Sequence, residues 1–175
     1  MDSNKKDEIR EAVRENYARV AESRNKGCCN ASSSCCETPG HDKDMPFRLG
    51  YSPGDFASIP EGADMGLGCG NHHAIAGLKT GETVLDLGSG GGFDCFLAAR
   101  SVGEDGYVIG VDMTPEMIAK SRQNAGNSSF GNIEFRLGEL EHLPVADATM
   151  DVIISNCVVN LSPDKEQVFK EAFRV

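Results

Sequence analysis

The sequence predicts an α/β fold with a parallel sheet, and three features support this. Thr83–Leu87 is a short β-branched and apolar run that leads into a glycine-rich turn, with four glycines in Gly88–Gly92. Phe93–Arg100 continues from that turn with a helical pattern. Strand-like and helix-like segments then alternate to the end of the chain. Strand, glycine turn and helix open a Rossmann-like unit, so we expect a Rossmann-like parallel sheet with helices on both faces.

Each element of this unit is predicted from local pattern. The predicted strands are Thr83–Leu87, Tyr107–Val111, Ile133–Leu137 and Val152–Ser155. The predicted helices are Phe93–Val102, Pro115–Asn124 and Pro163–Arg174. Proline is favoured at the first position of a helix, so Thr114 and Ser162 are predicted as the N-caps of the last two helices.

The N-terminal part is predicted to be a helix followed by a cysteine-rich loop. Lys5–Arg24 carries apolar residues at spacings of three and four, which indicates an amphipathic helix that packs on the main domain or acts as a lid. Asn25–Pro46 is rich in Ser, Asn, Gly and Cys and contains no core-forming pattern. We therefore divide the chain into residues 1–78, with the helix, the loop and a cap segment, and residues 79–175, with the sheet.

Charge and composition exclude several classes of function. The 175 residues include 17 basic and 27 acidic side chains, for a net charge of −10. Nucleic-acid-binding domains are basic, so no nucleic acid is expected as a partner. Met1–Glu15 is too charged for a signal peptide, and no apolar run approaches the ~20 residues of a membrane helix. We expect a cytoplasmic protein without a membrane partner.

The seven cysteines are an odd number, which does not suit a disulfide framework in a secreted protein. Four of them form two adjacent pairs in the predicted loop: Cys28, Cys29, Cys35 and Cys36. Three interpretations of these pairs stay open, namely incidental thiols on a linker, ligands of a soft metal, and thiols for disulfide exchange. Cys69 lies between glycines, so its sulfur is either approachable by a ligand or buried as an apolar side chain.

The glycine turn indicates which nucleotide is bound. A dinucleotide fingerprint requires Gly-x-Gly-x-x-Gly, but the third glycine, counted from Gly88, is replaced by Phe93. A pyrophosphate would also lie close to the acid Asp86. These features favour a cationic cofactor without phosphate. S-adenosylmethionine has these properties. We predict that Asp86 and the turn residues Gly88, Ser89 and Gly90 contact it.

Acidic and apolar residues after the next two strands extend this predicted cofactor site. Asp112 lies 22 residues after Gly90, at the position of an acid that binds ribose hydroxyls. Met113 offers an apolar contact for adenine, and Glu139 and Leu140 are placed to reach the adenine edge. For each strand-end acid alone, a role as a loop-capping carboxylate is a plausible alternative. Together they favour a ligand, because ligands bind at the carboxyl ends of parallel strands.

Cys157 directly follows the fourth strand. That strand is predicted to neighbour the first, so Cys157 is expected to face the reactive end of the cofactor, with Asn156 as a cofactor contact. The alternative is a buried cysteine at a strand end. A thiol beside a methyl sulfonium suggests a soft acceptor such as arsenite, which is thiophilic and keeps a lone pair.

From Tyr51 onward the chain resembles the arsenite S-adenosylmethionine methyltransferases. The resemblance is carried by Gly66–Asn71, Asp86–Gly90, Phe93–Cys95, Gly110–Thr114 and Ser155–Lys165, and the cysteine-containing segments are its specific part. It implies that Cys69 and Cys157 hold arsenic as a metalloid substrate. It also implies that a cysteine of the N-terminal loop is a third ligand or forms a disulfide, which a glutathione- or thioredoxin-type thiol resets. Cys95 is interpreted as a packing residue.

The resemblance implies a methyl transfer from S-adenosylmethionine to thiolate-bound trivalent arsenic. Two alternatives are kept. One is a methyltransferase of another small acceptor, such as a quinone precursor, and the other is a non-catalytic thiol module that sequesters metalloid. Members of the family continue beyond Val175, so we expect a sheet truncated to about four strands. The Val152–Ser155 strand would then lie at an edge, covered by the last helix, paired with a second copy in a dimer, or exposed.

Overall fold

The computed structural model describes residues 2–22, 59–60, 62–65 and 77–175. Five cysteines of the predicted substrate site lie outside the described residues, so their predicted roles stay predictions. They are Cys28, Cys29, Cys35, Cys36 and Cys69.

The described elements alternate between strand and helix after an N-terminal helix. In chain order they are α1 (Ser3–Glu22), β1 (Thr83–Leu87), α2 (Phe93–Val102), β2 (Tyr107–Asp112), α3 (Pro115–Gly126), β3 (Ile133–Leu137), β4 (Val152–Ser155), a 3₁₀ turn (Val159–Leu161) and α4 (Lys165–Arg174). All four strands and the helix after the glycine turn lie where the sequence predicts them. Within the described residues, no helix is long and apolar enough to span a membrane.

The strands form one parallel sheet in the order β3-β2-β1-β4. Leu87 at the end of β1 is in register with Val111 of β2 and with Ser155 of β4. The prediction that the fourth strand neighbours the first is therefore confirmed. This order brings the turn after β1 and the loop after β4 to the same carboxyl edge, where α/β proteins bind their ligands.

Both faces of the sheet are covered, as predicted. Alternate residues of a strand point to opposite faces, so Val84 and Leu85 enter different clusters. The Val84 cluster includes Phe96 of α2 and Ile118 of α3, and it is fully apolar apart from Cys95. The Leu85 cluster, on the other face, includes Val168 of α4 and the C-terminal Val175.

The predicted start of the last helix is wrong by two residues. Pro163 is not its first position, because the N-cap is Asp164, whose side chain accepts a hydrogen bond from the Gln167 amide. The Ser162 hydroxyl instead donates a hydrogen bond to the Glu141 carboxylate at 2.6 Å. Thr114 does occupy the N-cap position of α3, but its side chain makes no capping hydrogen bond.

Strand β4 is an edge of the described sheet, because it pairs with β1 and with no other described strand. Helix α4 packs on the sheet face through Val168. A dimer through the β4 edge remains a prediction.

Candidate functional site

The glycine turn after β1 is held against β2 by its backbone. The amides of Gly88 and Ser89 both donate to the Val111 carbonyl, at 2.8 and 3.0 Å. Gly88 and Gly90 have φ of 76° and 51°, a left-handed conformation that side chains disfavour. A Cβ at Gly90 would meet no atom within 4 Å, so the turn borders open space at this residue.

The loop after β4 packs directly on this turn. A Cβ at Gly88 would lie 2.6 Å from Cβ and Cγ2 of Val158. Glycine is therefore required both by the backbone angle and by the approach of the loop. The contact places Asn156 and Cys157, which immediately precede Val158, beside the glycine turn.

Asp112 connects the end of β2 to the glycine turn. Its Oδ2 accepts a hydrogen bond from the Gly90 amide at 3.0 Å, and its Oδ1 accepts one from the Thr114 amide at 2.8 Å. Burial raises the pKa of Asp112, and these backbone donors oppose that rise. The two bonds fix the carboxylate at the carboxyl edge of the sheet, the position predicted for a ribose-binding acid.

Asp86 lies beneath the turn and is only 2% exposed. Its Oδ2 accepts a hydrogen bond from the Cys95 thiol, with the sulfur 3.3 Å away. Burial raises the pKa of Asp86 well above its usual value, and the charges of Asp94 and Asp112 raise it further. Burial next to Asp86 likewise raises the pKa of Cys95. Cys95 is thus a hydrogen-bond donor as well as the packing residue that the sequence indicates.

Ser89, in the turn itself, has a buried side chain. The Ser89 hydroxyl oxygen makes no hydrogen bond to any described residue. Buried hydroxyls are normally satisfied, so this atom marks a position where a ligand group fits.

A cavity of about 360 Å³ lies beyond Asp112 at the same edge. It is lined by Arg14, Met113, Pro115, Leu137, Gly138 and Glu139. The structure thus brings Met113 and Glu139 together, as the predicted adenine contacts require. The Leu140 side chain is 8% exposed and belongs to the Leu85 cluster, so its backbone is the part that remains for a ligand. Arg14 was not predicted from the sequence, although the repeated four-residue spacing of Lys6, Arg10 and Arg14 is a signal that charge patterning offers.

Cys157 is exposed and has a left-handed backbone with φ of 61°. Its sulfur is in a disulfide. Cys95, the other cysteine among the described residues, is free. The Cys157 sulfur is 3.4 Å from Oδ1 of Asn156, and a disulfide sulfur has no proton to donate, so this is a packing contact. Asn156 itself donates to Asp94 Oδ2 at 3.3 Å and so links the loop to α2.

The prediction that Cys157 is a buried cysteine, kept as an alternative, is wrong, because its side chain is exposed at the carboxyl edge. Within the described part of the chain, no group of three or more His, Cys, Asp or Glu residues could hold a metal ion. Cys69, the second predicted arsenic ligand, is not described.

A family model for a methyltransferase domain matches residues 78–175. Over 97% of this chain, the sequence is 55% identical to an arsenite methyltransferase of Halobacterium salinarum, of which it covers 44%. It is 39% identical, over 95% of this chain, to an arsenite methyltransferase of Aquipseudomonas alcaligenes, of which it covers 47%. The chain therefore spans about half the length of these curated relatives.

A similar solved structure is that of an arsenic (III) S-adenosylmethionine methyltransferase from Chlamydomonas reinhardtii. The two share 37% sequence identity and a TM-score of 0.55, over 79% of this chain and 46% of that one.

Proposed function

Because this chain belongs to the methyltransferase domain family, we propose that it functions in arsenite methylation, with S-adenosylmethionine as the methyl donor. The observation that carries the proposal is the contact of Val158 with Gly88, which sets the Cys157 loop against the predicted cofactor turn. The similarity to arsenite methyltransferases supports it, because it extends over nearly the whole chain rather than over the cofactor turns alone.

The residues at the carboxyl edge fit S-adenosylmethionine, which supplies a methyl group activated by a sulfonium. In this proposal Asp112 binds the ribose hydroxyls, and Met113 and Glu139 contact the adenine in the cavity that they line. The Ser89 hydroxyl, which has no partner among the described residues, and the open space at Gly90 receive the methionine part. Asn156 is the proposed contact on the loop side.

The electrostatics of the site favour a cation without phosphate. Burial raises the pKa of Asp86, and the negative charges of Asp94 and Asp112 raise it further. An anionic pyrophosphate would be repelled by this arrangement, whereas the ammonium and sulfonium groups of S-adenosylmethionine would be attracted. The proposed role of Asp86 is therefore electrostatic, exerted from beneath the turn.

Cys157 and Cys69 are the proposed arsenic ligands, with Cys28, Cys29, Cys35 or Cys36 as third ligand or redox partner. In its disulfide state Cys157 has no thiolate to offer. Two-electron reduction by an external thiol, of glutathione or thioredoxin type, releases two protein thiols and oxidises the external thiol to a disulfide. Each protein thiol then forms a sulfur–arsenic bond to arsenite, and the hydroxyl group that it replaces leaves as water. The lone pair of the bound arsenic would form the arsenic–carbon bond as the methyl–sulfonium bond breaks and S-adenosylhomocysteine leaves. Arsenic is formally oxidised by two electrons in this step, and a thiol pair would return them by forming a disulfide. No proton needs to move in the transfer, so the contribution of the protein is positioning.

The proposal also assigns roles to the two parts of the chain, a cellular location and a dimer surface. Residues 1–78 supply thiols and cover the site, and residues 79–175 bind the cofactor. The protein acts in the reducing cytoplasm, where arsenite-binding thiols are maintained. The β4 edge is the proposed surface of a dimer.

The proposal is tested by incubating the protein with S-adenosylmethionine, arsenite and excess thiol, and measuring methylated arsenic by chromatography and mass spectrometry. We expect methylated product from the unmodified chain and none from Cys157→Ser. Asn160→Ala is the matched control, because Asn160 is exposed in the same loop and no proposed contact involves it. The affinity for S-adenosylmethionine, measured by calorimetry, should be unchanged in both variants.

Other results select the alternatives. Tight arsenite binding without any methylated product would favour a sequestering module. Product formation undiminished in Cys157→Ser would refute the ligand role of Cys157. Methylation of a quinone precursor, and not of arsenite, would assign the other acceptor class.

A further inference from the structure

Helix α1 carries three basic residues at intervals of four. Lys6, Arg10 and Arg14 therefore project from the same side of the helix. The partly buried Ile9, Val13 and Tyr17 alternate with them, and α1 packs against α3. Acidic groups elsewhere in a chain with a net charge of −10 can attract this basic side of the helix.

Each of these basic residues meets an acid at the carboxyl edge of the sheet. Lys6 pairs with Asp164 at the start of α4. Arg10 lies 3.5 Å from Glu139 and 3.4 Å from Glu141, and Arg14 lies 3.2 Å from Glu139. Arg14 thus donates a hydrogen bond to the Glu139 carboxylate, whereas the Arg10 Nε lies near it without a hydrogen bond and Arg10 donates to Asp7 at 2.9 Å.

The inner pairs are partly shielded from solvent. The side chains of Arg10 and Glu141 are 16% and 5% exposed, so salt screens their attraction less than that of a surface pair. Glu141 is also held by the Ser162 hydroxyl at 2.6 Å. Glu139 is 34% exposed, and Arg14 is 41% exposed. The outer Arg14–Glu139 pair is therefore the one that salt and substitution should weaken most easily.

This outer pair also forms a wall of the cavity. Arg14 and Glu139 line it together with Met113, at the position proposed for adenine. We infer that α1 is the roof of the adenosine pocket, and that Arg14 is a positioning residue that holds the Glu139 carboxylate toward the cofactor. The inference rests on the proposed function. Without the Arg14 guanidinium group, the Glu139 carboxylate is free to turn toward water and the roof loses its attachment beside the cavity.

The test compares S-adenosylmethionine binding to the full chain, to Arg14→Ala and to Arg14→Lys by calorimetry at low and high salt. Arg19→Ala is the matched control on the same helix, because the Arg19 side chain donates a hydrogen bond to the Glu15 carbonyl of α1 and does not line the cavity. We expect Arg14→Ala to weaken binding about three- to fivefold at low salt, the range of a partly exposed ion pair. The loss should disappear at about 1 M salt, and Arg14→Lys should restore most of the affinity.

A second measurement is independent of the cofactor. In the free protein, Arg14→Ala should increase backbone hydrogen exchange along α1, and Arg19→Ala should increase it only near its own position. Equal S-adenosylmethionine affinities in Arg14→Ala and the unmodified chain, with unchanged exchange of α1, would overturn the roof inference and leave the proposed function intact. Absence of any S-adenosylmethionine binding to the unmodified chain would overturn both, whatever the exchange shows.

Discussion

Replacing Gly88 by alanine should cost more stability than the same change at Gly90, for a reason that the structure isolates. Both residues have left-handed backbones, so alanine costs about 1–2 kcal/mol at either position. At Gly90 nothing else is added, because no atom lies within 4 Å of the new Cβ. At Gly88 the Cβ would overlap Val158, with three atoms at 2.6, 2.6 and 2.9 Å.

The overlap at Gly88 adds about 1–3 kcal/mol, the usual cost of overpacking. We therefore expect Gly88→Ala to lower the free energy of unfolding by about 2–5 kcal/mol, and Gly90→Ala by about 1–2 kcal/mol. For a chain of this size, 1 kcal/mol shifts the Tm by about 2–4 °C, so thermal denaturation under reducing conditions resolves the difference.

The overlap explanation has its own control. Val158→Gly removes all three overlapping atoms, so in that background the cost of Gly88→Ala should fall to the cost of Gly90→Ala. Gly88→Ala should also weaken arsenite binding, because relief of the overlap moves Val158 and, with it, the adjacent Cys157. Equal Tm losses for Gly88→Ala and Gly90→Ala would refute the reasoning.

Two further predictions concern the same edge of the sheet. Burial raises the pKa of Asp86 in the folded state. The free energy of unfolding therefore decreases as the pH rises from about 4, where the unfolded carboxyl group ionises, through that raised pKa. Asp86→Asn should therefore stabilise the free protein at neutral pH and not at pH 3, and it should weaken S-adenosylmethionine binding. Chemical denaturation at both pH values tests the stability prediction. A difference in unfolding free energy between variant and unmodified chain that does not change with pH would contradict it. Cys157 has φ of 61°, so under reducing conditions Cys157→Gly should melt about 2–8 °C above Cys157→Ala, and equal melting temperatures would show that the loop relaxes in the absence of the disulfide.

The strands were predictable because their signals are local. A β-branched run that ends in glycines indicates a strand, and a proline at the first helical position indicates the start of a helix. Both patterns can be read without reference to the rest of the chain. The start of α4 was misplaced because Ser162 and Asp164 are both good N-caps in sequence terms. Only the tertiary structure decides between them, since Glu141, 21 residues earlier, accepts the Ser162 hydroxyl.

The sequence by itself determined the chemical components of the site: a glycine turn without the third dinucleotide glycine, acids after the strands, and thiols in glycine-flanked and strand-end positions. The tertiary structure decided what these groups contact. The Cys95 thiol donates a hydrogen bond to Asp86 because α2 folds back over β1. Arg14 reaches Glu139, 125 residues later, because α1 docks on the carboxyl edge. Such contacts depend on how separate elements pack, and no spacing along the chain encodes them.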